Sequence, residues 1–427
     1  MKLPNITKNA GSANIIKGMV TLAKGAILAR ILGFISIPIL TRLYSPEDYG
    51  VLALYTSLVA IVAPTLTLRY VQAIPIPKTD IMALNLFVMC IKLIFFNSLI
   101  ITIVFIFFSV NILRWFDLEA LDSWWPLIIL GSMGTALYEL FSLWATRKKQ
   151  YKVIAKTQVL QSLLGNLTKI VLGLVAFKTI GLIFGQIIAQ SCGISNFIKQ
   201  SSLNFNERKH KINFAKGKFI TKYYKDFPIY RLPSHILMVV SLQAPVLMMA
   251  ALFNKEVTGQ LSLTILALSL PTSMIASAIS KAYYAEIASL GKNNIDKIKN
   301  ITFSIQKKLF SIGIPLTIII IVTSKFLFIH IFGNEWGMAG EFASLLAPFI
   351  LFQFTSSPLM EVINIVGSQI SFLIIHSIRI IGLSGLFFFS KMYEVEEITF
   401  VLLLSSYLSI FYLLASCFVF LTLKRAS

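Results

Sequence analysis

Apolar runs of about twenty residues, parted by short polar intervals, recur from one end of the chain to the other. Each is long enough to cross a hydrocarbon core of ~30 Å. The pattern predicts twelve spans, near 16–40, 51–74, 83–110, 124–146, 153–176, 180–199, 228–252, 258–281, 308–330, 341–366, 369–390 and 398–423. Unpaired backbone groups are not tolerated in lipid, and runs this long exceed a barrel strand, so the expected fold class is an all-α membrane protein. The first run is full length and lacks a small-residue cleavage site, so it is expected to be a span and not a cleavable signal.

Composition agrees with the pattern. Of 427 residues 56% are hydrophobic and 13% charged, with a mean hydropathy of +0.80. The cysteines Cys90, Cys192 and Cys417 lie far apart inside apolar runs and read as small hydrophobic fillers. A net charge of +20 would suggest nucleic acid in a soluble chain. Here the bases concentrate in alternate loops, such as Arg147 to Lys156, Lys199 to Lys225 and Lys292 to Lys308. The other loops carry acids, among them Asp117, Glu119, Glu335 and Glu396. By the positive-inside rule both termini are expected in the cytoplasm. Trp115, Trp124, Trp125 and Trp336 then fall at the outer boundary and Trp144 at the inner one, as an interfacial belt would.

The longest polar stretch, 200–227, is basic and divides the chain into a six-helix bundle at 1–199 and a second at 228–427. The halves echo one another faintly: 245 minus 38 and 271 minus 64 both give 207, pairing Pro38 with Pro245 and Pro64 with Pro271. In "LTRLYSPEDYG", Ser45 can cap a helix, Pro46 suits its first position, and Glu47 and Asp48 meet the positive end of its dipole.

The candidate chemistry lies in charges within the spans. Lys24, Arg30, Arg69, Lys92, Lys169, Arg231 and Arg379 are basic, whereas only Glu139 and Glu361 are acidic. A charge at mid-bilayer costs on the order of 3 kcal/mol. At ~1.5 Å per residue Arg30 lies about 21 Å along its helix, past the middle, and Lys92 and Arg379 are central. Lys169 is somewhat higher. Lys24 and Arg69 share the cytoplasmic half, and Arg231 is expected to snorkel at the inner boundary. Glu139 and Glu361 can serve as ion-pair partners or as ion-coupling sites. Two acids cannot neutralise so many deep bases, so the excess implies a wet cavity or an anionic ligand.

Lys24 and Arg30, with "IPILTRLYSPEDYGVLALY" (Ile37 to Tyr55) and "LRYVQAIPIPK" (Leu68 to Lys78), resemble Wzx-type O-antigen flippases of the MOP superfamily, which includes the multidrug MATE transporters and lipid II flippases. The resemblance covers roughly residues 10–80. It implies two bundles around a cationic cavity in the bacterial inner membrane, and a cargo of oligosaccharide on undecaprenyl pyrophosphate, carried from the cytoplasmic to the periplasmic leaflet. It also points to a polymerase and a chain-length regulator as partners. Arg30 and Lys24 match the family's basic first-span positions. The later bases rest on depth alone.

Other functions fit less well. A MATE-like ion-coupled extruder would want a deep acid in its first bundle, whereas the first span here has bases. An O-antigen polymerase, ligase or lipid-sugar glycosyltransferase would want a large outer loop, and none is present. There is no phosphate-cradling Gly-Lys loop, no HExxH and no dinucleotide fingerprint. No enzyme activity, cofactor or nucleic-acid partner is therefore expected, and a proton or sodium gradient is the expected drive.

The loop charges make the topology testable. Cysteine labelling in intact cells is expected to find residues 200–227 protected and residues 111–123 reactive; the reverse pattern would invert the orientation.

Overall fold

The computed structural model describes residues 10–115, 124–200, 214–291, 294–364, 366 and 369–426. These residues are helical with no strand among them. The helices are α1 (Ala10–Leu43), α2 (Pro46–Leu66), α3 (Asp80–Trp115), α4 (Trp125–Arg147), α5 (Tyr151–Leu174), α6 (Lys178–Ser191) and α7 (Ile194–Gln200). They continue with α8 (Phe214–Tyr223), α9 (Leu232–Leu252), α10 (Lys255–Leu290), α11 (Ile295–Phe332), α12 (Gly337–Ser356), α13 (Gln369–Met392) and α14 (Glu397–Ala426). The acids Asp117, Glu119 and Asp122 of the expected third-to-fourth loop lie outside the described residues, as does 201–213 of the basic linker.

Among the described residues, eleven segments are long and apolar enough to cross a membrane, with α6 and α7 counted as one and α12 together with its flanking 3-10 turns as another. The twelfth expected span is α5. Its 24 residues reach about 36 Å, but Lys152, Lys156, Gln161, Asn166 and Lys169 make it too polar for the same criterion. Bands of exposed Ile, Phe and Leu on α3 and α11, such as Phe96, Leu99, Phe107, Ile318, Val322 and Phe326, are surfaces that only hydrocarbon would solvate well.

Three expected boundaries shift. The second span ends at Leu66, not 74, after which Leu68 and Arg69 take left-handed φ of 48° and 59° and a 3-10 turn follows at Tyr70–Ala73. Asn97 of α3 donates its side-chain N–H to the Leu66 carbonyl at 3.1 Å, which satisfies one of the orphaned acceptors at that end. The sixth span breaks at Gly193, whose φ of 91° separates α6 from α7. The tenth leaves α-geometry at Ser357, and Glu361 sits in a 3-10 segment, Ser357–Asn364.

The aromatic belt also needs correction. Trp336 is fully enclosed and meets Tyr49 edge-on, and Trp144 is buried against Phe87. Both fill space between helices, where a large flat ring excludes more void than any aliphatic side chain.

The chain divides into two compact units, Met1–Tyr44 with Leu54–Ile236, and Ser45–Ala53 with Leu237–Ser427. Linker helix α8 thus packs with the first unit, and Ile220, Tyr224 and Phe227 join a core with Phe87, Phe141 and Trp144. Within that unit α1 and α5 approach closely because Gly18 faces Tyr151 and Gly25 faces Ala155. Ser162 of α5 donates to the Ala29 carbonyl of α1 at 2.7 Å.

The second unit is tied by buried polar bonds. Gln260 of α10 donates to the Glu335 carbonyl at 2.6 Å and accepts from the Ala339 N–H at 2.9 Å. Thr264, one turn on, donates to the Ala339 carbonyl. Such bonds are retained because nothing in lipid would replace them. The first turns of α2 lie against the first turns of α10. Ser45 and Asp48 cap α2 reciprocally, Ser45 N–H to Asp48 Oδ2 at 3.2 Å and Asp48 N–H to Ser45 Oγ at 3.3 Å. Asn254 caps α10 through the Val257 N–H at 2.8 Å. A Cβ on Gly50 would overlap the Lys255 carbonyl oxygen, and one on Gly259 would overlap the Pro46 carbonyl oxygen. The contacts are reciprocal: 254 minus 45, 255 minus 46 and 259 minus 50 all equal 209.

Both obstacles are backbone, so neither can turn aside as a side chain would. Gly259→Ala is expected to lower stability by about 1–3 kcal/mol, as overpacking does. Gly385→Ala is the control, because a Cβ there meets nothing within 4 Å on a helix and is expected to be neutral or stabilising by about 0.5–1 kcal/mol. Thermal unfolding of the detergent-solubilised chain checks both.

Candidate functional site

Six of the seven bases named from sequence fall into three environments. Lys24 and Arg30 on α1 and Lys92 on α3 are exposed, and no ion pair or hydrogen bond engages their side chains among the described residues. At roughly 100° per residue, Lys24 and Arg30 stand about 120° apart around α1. Gly25 and Ala29, which face α5, lie on the other side of the helix, their mean direction about 120° from each base, so both bases point away from that seam. Lys92 shares a helical face with Phe96, Leu99 and Ile103, all exposed.

Lys169 and Arg379 are enclosed. Lys169 is 8% exposed, lays its stem on Gly185 of α6, and donates from Nζ to Gln186 Oε1 at 2.7 Å. Tyr44 donates to the Lys169 carbonyl at 2.6 Å. The ammonium therefore sits within the first unit with an amide oxygen in place of a carboxylate. Arg379 is 3% exposed in the second unit, and no carboxylate pairs with it among the described residues. Its Nη1 donates to the Tyr412 hydroxyl at 3.2 Å, which also accepts from Gln353 Nε2 at 3.0 Å. The rings of Phe411 and Tyr412 lie 5.7 and 5.6 Å from its guanidinium carbon. Aromatic faces and a hydroxyl thus replace water around this cation.

Arg69 is the base with an acid partner. Its Nη1 lies 3.3 Å from Glu139 Oε1, and Gln72 Nε2 donates to the same oxygen at 2.5 Å. Arg69 was expected inside the second span; it stands instead on the left-handed turn beyond α2, because the helix has already ended at Leu66. The loop that carries it is anchored at its far end. Arg147 donates from Nη1 to the carbonyls of Ile74, Pro75 and Pro77 and pairs with Asp80 at 3.1 Å, and Lys148 joins Asp80 at 2.6 Å. The stretch "LRYVQAIPIPK" is therefore a built loop and not a helix end.

Two further groups come close to Arg69. A turn of π geometry, Phe227–Arg231, packs against Tyr70–Ala73. It brings the Arg231 guanidinium near enough to repel that of Arg69, while Arg231 itself lies over the Phe227 ring at 4.9 Å. His235, one turn later on α9, also feels the Arg69 charge. Sequence reading gave Arg231 a snorkelling role and passed over Gln72 and His235. Only the tertiary fold of the 67–79 loop brings them together. No contact joins Lys24, Arg30 or Lys92 to this cluster among the described residues.

The family described as "Polysaccharide biosynthesis protein" matches residues 39–340. No curated protein sequence matches the chain. Among solved structures, the lipid II flippase MurJ in an inward closed conformation superposes with a TM-score of 0.67 at 14% identity, over 93% of this chain and 87% of that one. An inward-facing multidrug resistance MATE family transporter of the MOP superfamily gives 0.61 at 13% identity, over 95% of both chains. A MOP superfamily transporter from Pyrococcus furiosus gives 0.51 at 12%, over 97% and 96%. At such identities the likeness is one of fold.

A buried cation with no counter-ion contributes little to stability. Arg379→Leu is expected to leave the thermal midpoint unchanged or to raise stability by about 1 kcal/mol, since apolar replacement of buried charge is commonly neutral or favourable. A drop of several degrees in a melting assay would show that the arginine holds the bundle.

Proposed function

From the membership of this chain in the polysaccharide biosynthesis protein family, we infer that it is a flippase for undecaprenyl-pyrophosphate-linked oligosaccharide. In this reading the cargo is an O-antigen or related repeat unit, carried from the cytoplasmic to the periplasmic leaflet of a bacterial inner membrane. The multi-pass fold shared with MOP transporters supports a translocation role.

The observation that carries the reading is the trio Lys24, Arg30 and Lys92. They are cations on apolar helices, exposed, and without a partner among the described residues. A pyrophosphate brings several anionic oxygens and would repay the cost of holding such charges away from bulk water. Arg30 offers it a planar fork of donors, which a lysine cannot. The polyprenyl tail stays in lipid while the sugar follows the charged, hydrated route. Alternating access would present the site to each leaflet in turn. The extruder reading has less behind it: Glu139, the deep acid of the first unit, is already held by Arg69 and Gln72.

Arg30→Ala is expected to abolish export in a strain lacking the native copy, with the protein at normal abundance in the membrane, and Arg30→Lys to retain part of it. Losing a charge-assisted contact to a pyrophosphate costs roughly 2–3 kcal/mol, some tens to a hundredfold in affinity. The measurement pairs membrane protein level with surface polysaccharide, and wild-type values of both for Arg30→Ala would remove Arg30 from the site.

A further inference from the structure

The break between α2 and α3 is built at a cost. Leu68 and Arg69 are adjacent, neither is glycine, and both have positive φ. Each such residue costs on the order of 1 kcal/mol or more and persists only where its surroundings over-determine it. Here they do. Asn97 holds the Leu66 carbonyl, Tyr70 donates to the Thr221 carbonyl at 3.3 Å, and Arg147 grips three carbonyls further along. The effect of the strain is to swing Arg69 off the helix axis toward Glu139 of α4.

What Arg69 meets there is a loose pair. An arginine and a carboxylate at their best form two parallel bonds at about 2.8 Å. This pair has one, at 3.3 Å, with the side chains 15% and 29% exposed. Glu139 Oε1 takes both the Arg69 and the Gln72 bonds, and no other contact engages Oε2, or Nε and Nη2 of Arg69, among the described residues. Arg231, exposed, adds positive charge on the side of the π turn, and half-buried His235 adds an imidazole there. One carboxylate thus stands before Arg69, Arg231 and a histidine, and it satisfies part of one of them.

We propose that Glu139 is a placeholder: its carboxylate occupies a phosphate seat on Arg69, and the diphosphate of the cargo displaces it, with Arg231 and His235 completing the seat. The proposal rests on the flippase reading and adds a recognition point separate from Arg30. A diphosphate can engage the second edge of the Arg69 fork and reach Arg231 together, which one carboxylate cannot do. Gln72 eases the exchange. Its amide already binds Glu139 and stays with the carboxylate when Arg69 leaves, so the displaced acid keeps a donor. Between cargoes Glu139 holds Arg69 in place and partly offsets the repulsion from Arg231.

The test is binding of inorganic pyrophosphate to the full chain in lipid nanodiscs, by calorimetry at constant ionic strength, with sulfate as the comparison anion. If the carboxylate competes for the seat, Glu139→Gln binds pyrophosphate about tenfold tighter than wild type, and Arg69→Gln and Arg231→Gln bind it about tenfold more weakly. Glu139→Asp keeps the charge and shortens its reach, so it covers the case in which Glu139→Gln does not fold; a threefold gain is expected from the weakened pair, on the order of a surface-type coupling. Equal affinity in wild type and either Glu139 variant overturns the placeholder, and sulfate binding as tightly as pyrophosphate overturns the diphosphate assignment. Nanodiscs doped with polyprenyl pyrophosphate separate the sources: competition there is expected for a lipid head group, and unchanged affinity would assign the seat to a free diphosphate. Failure of the flippase reading shows elsewhere, as normal surface polysaccharide in a strain lacking the chain.

Discussion

A positive charge on a helix that faces hydrocarbon has to be answered by something, and the ways this chain answers it organise the molecule. Lys169 finds an amide oxygen, Arg379 finds two aromatic faces and a phenol, and Arg69 finds a carboxylate. Each answer requires a helix arrangement that delivers the partner. The Lys169 stem fits only because Gly185 has no side chain, and Arg379 needs α13 beside the Phe411–Tyr412 face of α14. Lys24, Arg30 and Lys92 have no such answer among the described residues.

The same constraint explains the polar seam between α1 and α5. A helix with three lysines, two glutamines and an asparagine among its 24 residues would be a poor span alone. Packed through Gly18, Gly25 and Ser162 against α1, it presents much of that polarity to protein. The polar helix and the arginine-bearing helix of the first unit are thus neighbours.

Much of this was legible in the chain. Span number and helix class follow from run length, because hydrocarbon thickness admits few alternatives. The Ser45 cap and the acids behind it were readable, since capping is local chemistry. The environment of each base was not. Depth along a helix says nothing of rotation about it, so enclosed Arg379 and exposed Lys92 looked alike from sequence. Arg69 was placed in a helix because its neighbours are apolar, and apolar residues serve equally well in the buried turn they form. Trp336 was taken for an interfacial ring for the same reason. Its burial depends on Tyr49, nearly three hundred residues away in the chain, and no local pattern carries that pairing. The 209-residue correspondence between the capped starts of α2 and α10 became meaningful only once each glycine was seen under the other helix's carbonyl.

That pairing has a mechanical side. Residues Ser45–Ala53 belong to the second unit and Leu54 onward to the first, yet both lie on one continuous helix. The contact at the capped end of that helix lies wholly within the second unit and is backbone on backbone, so it has no side chain to turn aside. Its fit is set by covalent geometry alone, and no repacking of neighbouring side chains could make room for a residue larger than glycine at 50 or 259.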